Sequence, residues 1–287
     1  MTTQAQFDPV QYKETSRKQW EEAAEAWDRW GSLLNKWLGP STEVMFDMMG
    51  LKVGDHVLDV AAGAGEQSIA AALRVGQSGR ILATDISSKI LEFASMEAKK
   101  AGFNNVDIKT MDGENLDVPV ASFDAVISRV GLIYFPDQQK ALQGMKQALK
   151  EGGKIGAVVY STPENNKFFS IPISIIRNRA KLPPPLPGQP GPFSLGGPGI
   201  IEKVFAEAGF RTIQTHIVPS PLILTSAIEC VRFEKESFGA LHQMMANLSP
   251  EEKEDTWKEI QSELSKFENG SKGFVGPCEM LIATAVK

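Results

Sequence analysis

A short strand that runs into a glycine-containing turn and then a helix constrains this chain most. Residues 57–60 read Val-Leu-Asp-Val, and Ala-Ala-Gly-Ala-Gly-Glu precedes a helical run that contains Ile69, Ala70 and Leu73. Glycines at such a turn let the backbone approach a ligand, and a helix N-terminus presents free N–H groups. The next apolar strand ends at Asp85, where a carboxylate can accept hydrogen bonds from both ribose hydroxyls of an adenosine. The pattern predicts a nucleotide-cofactor site.

The glycine loop taken alone leaves several readings open. It suits NAD, FAD or S-adenosylmethionine, and it also suits a tight turn without a ligand. Glu66 and Gln67 follow Gly65, so the third glycine of a dinucleotide fingerprint is missing, which favours a ligand without pyrophosphate. Asp112 follows the third predicted strand, where an acid can hold an adenine amino group. The same residues would also suit a nucleotide-cofactor oxidoreductase or a binding protein without turnover, and both are kept as alternatives to a transferase.

From residue 51 onward, apolar strand-like segments alternate with amphipathic helical ones. This alternation predicts an α/β fold with a Rossmann-like seven-stranded sheet, mostly parallel, with helices on both faces. The last strand returns after a helical excursion, so we expect it to be antiparallel. The predicted strands cover residues 56–60, 80–84, 106–110, 123–128, 153–160, 212–218 and 279–286.

The rest of the chain divides into a cap and two insertions. Residues 1–50 are predicted to form an N-terminal helical cap, and residues 51–287 the cofactor-binding domain. An insertion at about 162–198 starts as an apolar helix and continues into residues 183–198, which hold seven prolines and four glycines. Such a stretch forms neither a regular helix nor a central strand. A helical insertion is predicted at about 226–268, with capping boxes at Ser226 and Ser249.

Five segments together resemble the class I S-adenosylmethionine-dependent methyltransferases. They are similar to the ubiquinone/menaquinone C-methyltransferase group and its small-molecule relatives. The resemblance covers about residues 51–160 and implies transfer of a methyl group from S-adenosylmethionine to a carbon, oxygen or nitrogen atom of a small molecule. It is specific for the cofactor and not for the acceptor. The segments read VLDVAAGAGE, ATDIS, MDGENL, SFDAVISRVGLIYFPD and LKEGGKIGAVVY.

The resemblance also implies which residues bind the cofactor. Those expected to shape the methionine pocket are Asp59, Ala61, Gly63 and Gly65. Those expected around the adenosine are Asp85 on the ribose, Ile86 against the base, and Asp112 with Gly113 at the adenine edge. Quinone methyltransferases typically carry serine-phenylalanine-glycine where this chain has Arg129-Val130-Gly131. Arg129 therefore disfavours a quinone and is predicted to hold a carboxylate of the cofactor or of the acceptor.

Aromatic side chains mark two candidate acceptor surfaces. Trp20, Trp27, Trp30 and Trp37 recur at spacings that place them on one face of a single N-terminal helix. They form either a core-packing stripe or a lid, in which Trp27 and Trp30 contact the acceptor. The apolar insertion around Phe168 is predicted to build the acceptor pocket, so we expect an apolar or aromatic acceptor.

Methyl transfer from a sulfonium requires neither a metal nor a nucleophilic side chain, but a neutral acceptor must lose a proton. Tyr160 lies at the C-terminal end of the fifth predicted strand and His216 on a late strand. Both are predicted catalytic candidates, and a packing role is the alternative for each. No metal site is expected.

Composition and charge limit the partners and the cellular location that we expect for this protein. The chain has 30 basic and 35 acidic residues, a net charge of −5 and no basic run, which argues against nucleic-acid binding. Its two cysteines form no metal-binding pattern or disulfide framework. Its apolar runs are too short for membrane insertion, and its first ten residues lack signal-peptide features. We expect a cytoplasmic protein that acts on a small molecule, and a homodimer is compatible with the sequence.

Overall fold

The computed structural model describes residues 7–186, 189–270 and 273–287. Seven strands form one sheet: β1 (His56–Val60), β2 (Arg80–Asp85), β3 (Val106–Thr110), β4 (Phe123–Arg129), β5 (Leu149–Tyr160), β6 (Arg211–Pro219) and β9 (Glu279–Val286). Two short strands, β7 (Leu222–Leu224) and β8 (Phe274–Gly276), form a separate antiparallel pair. The large sheet has the order β3-β2-β1-β4-β5-β9-β6, and β9 is antiparallel to both neighbours. The predicted fold class is confirmed.

Helices cover the sheet on both faces. Those of the cap and the first half of the chain are α1 (Pro9–Arg29), α2 (Gly31–Met49), α3 (Glu66–Val75), α4 (Ser88–Lys100) and α5 (Gln138–Ala148). Those that follow are α6 (Lys167–Arg179), α7 (Ile200–Glu207), α8 (Ala227–Ser237), α9 (Gly239–Met244) and α10 (Pro250–Leu264). Helices α2, α3 and α4 pack side by side against the sheet, and α5 packs with α7. Within the described residues, no helix combines the length and apolarity needed to cross a bilayer.

The N-terminal cap differs from the single helix predicted. It is two helices that meet at Trp30, which caps the end of α1 and the start of α2. The tryptophans therefore do not share one helical face. The Trp27 indole donates to the carbonyl of Ser237 at 3.1 Å, whereas that of Trp37 donates to the carbonyl of Ser220 at 2.9 Å. These contacts with distant segments set the break, which helical periodicity does not report. Residues 1–6 of the predicted cap lie outside the described residues.

The two insertions lie at about the predicted positions, 162–198 and 226–268, but their helices and caps differ in detail from the prediction. Helix α6 is followed by an irregular stretch, of which residues 187 and 188 lie outside the described part. The capping box at Ser249 is complete. At Ser226 only half of the box forms, because the Glu229 carboxylate bonds to Thr225 instead of the Ser226 amide. Sequence periodicity missed α9, which has only six residues and begins at a glycine.

Candidate functional site

A pocket opens where β1, β2, β4 and β5 end, and its empty space of about 980 Å³ includes open solvent. Ligands of open α/β sheets bind at this edge. Seven of the residues predicted from sequence to bind the cofactor line the pocket: Ala61, Gly63, Asp85, Ile86, Asp112, Gly113 and Arg129. The structure thus brings together side chains from turns that are far apart in the sequence.

Asp85 is a nearly buried carboxylate at the end of β2, with 9% of its surface exposed. Its Oδ2 accepts the Gly63 amide at 3.1 Å, and its Oδ1 accepts the Ser87 amide at 3.0 Å. Burial raises the pKa of this carboxyl, and the backbone amides oppose that rise. Asp85 therefore fixes the glycine loop and remains at the pocket wall, where a ligand hydroxyl can reach it.

The pocket lining includes an ion pair that the sequence did not reveal. Lys13 of α1 places its Nζ 2.8 Å from Asp112 Oδ2 and 2.6 Å from Glu114 Oε2. Burial alone would raise the pKa of Asp112, but hydrogen bonds, foremost from Lys13, lower it. Gly113 is required here because a Cβ would lie 2.6 Å from Cζ of Phe135. The cap and the turn after β3 are thereby joined across the pocket.

The pocket lining also contains a buried guanidinium. Arg129, with 5% of its surface exposed, donates from Nη1 to Thr42 Oγ1 at 3.1 Å, and its Nη2 lies 3.5 Å from Glu66 Oε2. Burial lowers the pKa of Arg129 and raises that of Glu66. Gln67 also lines the pocket, and its buried Oε1 has no hydrogen-bond partner among the described residues. A cation, a carboxylate and a free acceptor together suit the zwitterionic end of an amino acid.

Several aromatic side chains line the pocket. Trp20 packs edge to face on Trp27, with centroids 5.5 Å apart, and on Tyr134, with centroids 5.8 Å apart. Phe238 and Tyr160 complete this aromatic wall. Trp27, which was predicted to contact the acceptor, lines the pocket together with Trp20 and Phe238. Buried aromatic faces of this kind exclude water and attract cations such as a sulfonium.

Two predicted acceptor residues do not reach the pocket. The indole of Trp30 donates to Glu236 Oε2 at 2.8 Å, outside the pocket. Phe168 is fully buried behind Tyr160, with ring centroids 6.2 Å apart. None of the described residues of the insertion at 162–198 lines the pocket. The prediction that this insertion forms the wall is wrong: it packs behind the wall, and Phe238 enters from the helical insertion instead.

Comparison with known proteins agrees with this geometry. The model of the ubiE/COQ5 methyltransferase family matches residues 35–174, just under half of the chain. A ubiquinone/menaquinone biosynthesis C-methyltransferase of Pseudoalteromonas translucida is 34% identical over 40% of this chain and 47% of its own length. An aklanonic acid methyltransferase of a Streptomyces species is 30% identical over 50% of this chain and 64% of its own. The chain thus spans between about half and two thirds of these relatives.

A solved structure extends the likeness across the fold. A phosphoethanolamine N-methyltransferase of Haemonchus contortus, with bound S-adenosylhomocysteine, superimposes with a TM-score of 0.60 at 17% identity, over 96% of this chain and 60% of its own. The family match covers β1 to β5 and the glycine loop, and the fold extends it to the antiparallel last strand. Residues 35–174 thus resemble the ubiE/COQ5 methyltransferases in sequence, and the fold resembles that of a solved methyltransferase.

Two of the predicted cofactor residues support the pocket from behind. Asp59 is fully buried under the glycine loop, where it accepts the Ser68 hydroxyl at 2.5 Å and the Gln67 amide. Gly65, at φ +96°, packs against α4, since a Cβ there would lie 2.8 Å from the Cβ of Ala94. Gly65 therefore supplies the close helix packing that the sequence seemed to lack.

The packing role of Gly65 predicts unequal effects of two alanine substitutions. Gly63→Ala should cost about 1–2 kcal/mol of unfolding free energy, because the backbone at this position is left-handed, with a φ of +60°. The cost should not exceed this, since nothing lies within 4 Å of the added Cβ. Gly65→Ala should cost about 1–3 kcal/mol more, because the methyl group collides with Ala94. Urea unfolding of both ligand-free variants measures the difference. Equal losses would contradict the packing role.

Burial gives Asp59 a distinct pH signature. Desolvation raises the pKa of Asp59 from 3.8 to about 7, against hydrogen bonds from Ser68 and Gln67 and the charge of Arg129. The folded state then holds a proton that the unfolded state has released. The stability contribution is present below about pH 4 and is lost by up to about 1.4 kcal/mol per pH unit as the pH rises towards 7. Asp59→Asn should flatten this decline in urea unfolding between about pH 5 and pH 6.5; parallel curves for the two proteins would contradict it.

The two predicted catalytic candidates lie in different places relative to the pocket. Tyr160 lines the pocket, and its hydroxyl bonds to none of the described residues. Burial raises its pKa well above 10, so the phenol stays protonated and serves as a donor, not as a base. His216 is exposed on β6 and does not line the pocket. Its position excludes the role predicted for it, because the strand that carries it lies at the edge of the sheet.

Proposed function

We propose that this protein transfers a methyl group from S-adenosylmethionine to a small planar acceptor of apolar or aromatic character. The observation that carries the proposal is one pocket with three chemically different parts. A carboxylate that suits a ribose lies at Asp85, a buried guanidinium lies at Arg129, and aromatic side chains line the same pocket. Relatives that are named for ubiquinone/menaquinone biosynthesis and for aklanonic acid methylation support a small-molecule acceptor.

The cofactor residues take complementary parts in this proposal. Asp85 accepts the ribose hydroxyls, while Ile86, Asp112 and Gly113 surround the adenine. Because Lys13 and Asn115 already occupy Asp112 Oδ2, we expect the adenine to meet a neutralised carboxylate rather than a free one. The backbone at Ala61 and Gly63 closes on the methionine, whose carboxylate pairs with Arg129 and whose ammonium faces Glu66 and Gln67 Oε1.

Around the reacting atoms, the chain mainly orients groups and excludes water. S-adenosylmethionine, when bound, supplies an electrophilic methyl group on its sulfonium. Trp20, Trp27 and Phe238 hold the acceptor against that methyl group. The Tyr160 hydroxyl donates a hydrogen bond to the acceptor. Such positioning in a dry pocket is the main source of catalysis in reactions of this type.

The pocket offers few groups that could take a proton from the acceptor. Lys13 is paired with Asp112 and Glu114, and Glu66 with Arg129. The pKa values of Tyr134 and Tyr160 are raised by burial, and none of the histidines lines the pocket. We therefore propose an acceptor that ionises on its own, such as an acidic phenol or an enolised 1,3-dicarbonyl compound.

Ligand binding and transfer assays test the proposal in sequence. Titration calorimetry with S-adenosylhomocysteine and with NAD separates a methyltransferase from an oxidoreductase; we expect binding of the first only. Transfer of labelled methyl from S-adenosylmethionine is then measured on phenols, 1,3-diketones and amines, and we expect products from the first two classes. Binding of NAD alone would overturn the proposal, and binding of S-adenosylhomocysteine without transfer to any acceptor would favour a non-catalytic binding protein.

The setting proposed for this activity is the cytoplasm. Both cysteines, Cys230 and Cys278, are buried and unpaired, as is usual for a protein of a reducing compartment.

A further inference from the structure

Two phenol hydroxyls of the pocket lack a protein partner. Tyr134 and Tyr160 both line the pocket, and neither hydroxyl bonds to any of the described residues. Neither oxygen is among the polar atoms of those residues that are both fully enclosed and unpartnered. Both oxygens therefore keep accessible surface, and for Tyr160, which is only 2% exposed in all, that surface belongs to the pocket.

The fold brings these two tyrosines to neighbouring strand ends. Tyr160 is the last residue of β5, and Tyr134 lies in the short helical turn that follows β4, the parallel neighbour of β5. The two side chains are close enough that a negative charge on Tyr134 would raise the pKa of Tyr160. One small ligand atom group at this edge of the sheet can therefore meet both hydroxyls.

Packing holds both phenol rings in place. The ring of Tyr134 packs edge to face on Trp20, and the carbonyl of the preceding residue, Ile133, accepts the Gly191 amide at 2.9 Å. The ring of Tyr160 lies among four aromatic rings with centroid distances of 5.9–6.3 Å, those of Trp37, Phe168, Phe169 and Phe193. Donors that are fixed before a ligand arrives stabilise its charge without the cost of reorganisation.

The chemistry of the two hydroxyls suits a negatively charged oxygen. Burial raises the pKa of each phenol, so both stay protonated and can donate. The cations of the pocket lining are already paired, Lys13 with two carboxylates and Arg129 with Glu66. Hydrogen bonds to an ionised oxygen are about twice as strong as those between neutral groups, so two free neutral donors favour an anion.

We propose that the hydroxyls of Tyr134 and Tyr160 donate together to one ionised oxygen of the acceptor, so that this site binds a phenolate or an enolate. The inference rests on the proposed function and adds to it a second donor and the charge state in which the acceptor binds. In the transfer, an electron pair of the anion forms the bond to the methyl carbon, while the pair of the carbon–sulfur bond stays with sulfur. No proton has to move in the pocket.

Binding of two matched probes tests the inference. The full chain, saturated with S-adenosylhomocysteine, is titrated in a calorimeter with 4-nitrophenol at a pH where this probe is ionised. It is also titrated with 4-nitrotoluene, which has a similar shape and no ionisable oxygen. We expect the wild type to bind the phenolate at least about 10-fold more tightly than the neutral probe. Tyr134→Phe and Tyr160→Phe should each weaken the phenolate by about 10-fold and leave the neutral probe unchanged, because phenylalanine keeps the ring packing.

The third tyrosine of the chain provides the matched control. Tyr12 does not line the pocket, so Tyr12→Phe should bind both probes like the wild type. Unchanged urea unfolding and unchanged affinity for S-adenosylhomocysteine show that each variant keeps the fold and the cofactor site. Equal binding of the two probes by the wild type, no binding of the phenolate at millimolar concentration, or an undiminished phenolate affinity in Tyr134→Phe would overturn the inference. Failure of the wild type to bind S-adenosylhomocysteine would instead overturn the proposed function.

Discussion

Asp85→Ala is expected to weaken the binding of S-adenosylhomocysteine by about 10- to 100-fold, equivalent to about 1–3 kcal/mol. The substitution removes a charged acceptor proposed for both ribose hydroxyls. It also frees the Gly63 amide, which Asp85 Oδ2 holds at 3.1 Å, so the glycine loop loses its fixed position. Titration calorimetry on the ligand-free protein measures the change.

A second ligand and a control variant sharpen this prediction. 5′-Methylthioadenosine keeps the adenine and ribose but lacks the amino-acid end, so Asp85→Ala should weaken it by the same factor. Asp107→Ala removes an exposed carboxylate from the neighbouring strand β3 and should leave both affinities unchanged. If Asp85→Ala bound both ligands like the wild type, the adenosine would have to lie elsewhere in the pocket.

Arg129→Met should weaken S-adenosylhomocysteine by a similar factor of about 10 to 100, yet leave 5′-methylthioadenosine unaffected. The reason is the proposed pairing of this guanidinium with the methionine carboxylate, which only the first ligand carries. Methionine fills a comparable volume without charge. Calorimetry with the two ligands therefore separates the two ends of the cofactor.

The same substitution leaves Glu66 without its cation, 3.5 Å away in the wild type. The variant should lose about 3 kcal/mol of stability or less, because Glu66 can take up a proton. The double variant Glu66→Gln with Arg129→Met should recover part of that loss in urea unfolding. Equal weakening of both ligands by Arg129→Met would instead mean that the arginine acts on the shape of the pocket.

Much of the fold and of the cofactor end followed from the sequence. The bounds of β1, β3 and β9 agree with the predicted segments. Asp85 follows its strand at the distance from the glycine loop that an adenosine site needs, and it lies at the pocket wall. These features depend on local periodicity and turn chemistry, which a single chain segment determines by itself.

Contacts between distant segments determined the parts of the pocket that the sequence did not predict. Lys13 reaches Asp112 across the pocket, although the two are far apart in the sequence. Ala94 of α4 explains why Gly65 must be a glycine, and no pattern around the loop contains that information. Phe238, and not Phe168, enters the aromatic wall because the helical insertion folds over the pocket while α6 packs behind it.

The glycine loop and the strand-helix alternation predicted the fold and a nucleotide-cofactor site from sequence, because their chemistry is local, and the resemblance of five segments pointed to S-adenosylmethionine as the cofactor. The acceptor side of the pocket, the break at Trp30 and the place of His216 at the sheet edge were decided by tertiary packing. The side chains involved are apolar or neutral, and such residues satisfy many environments equally well until the neighbouring segments fix one of them.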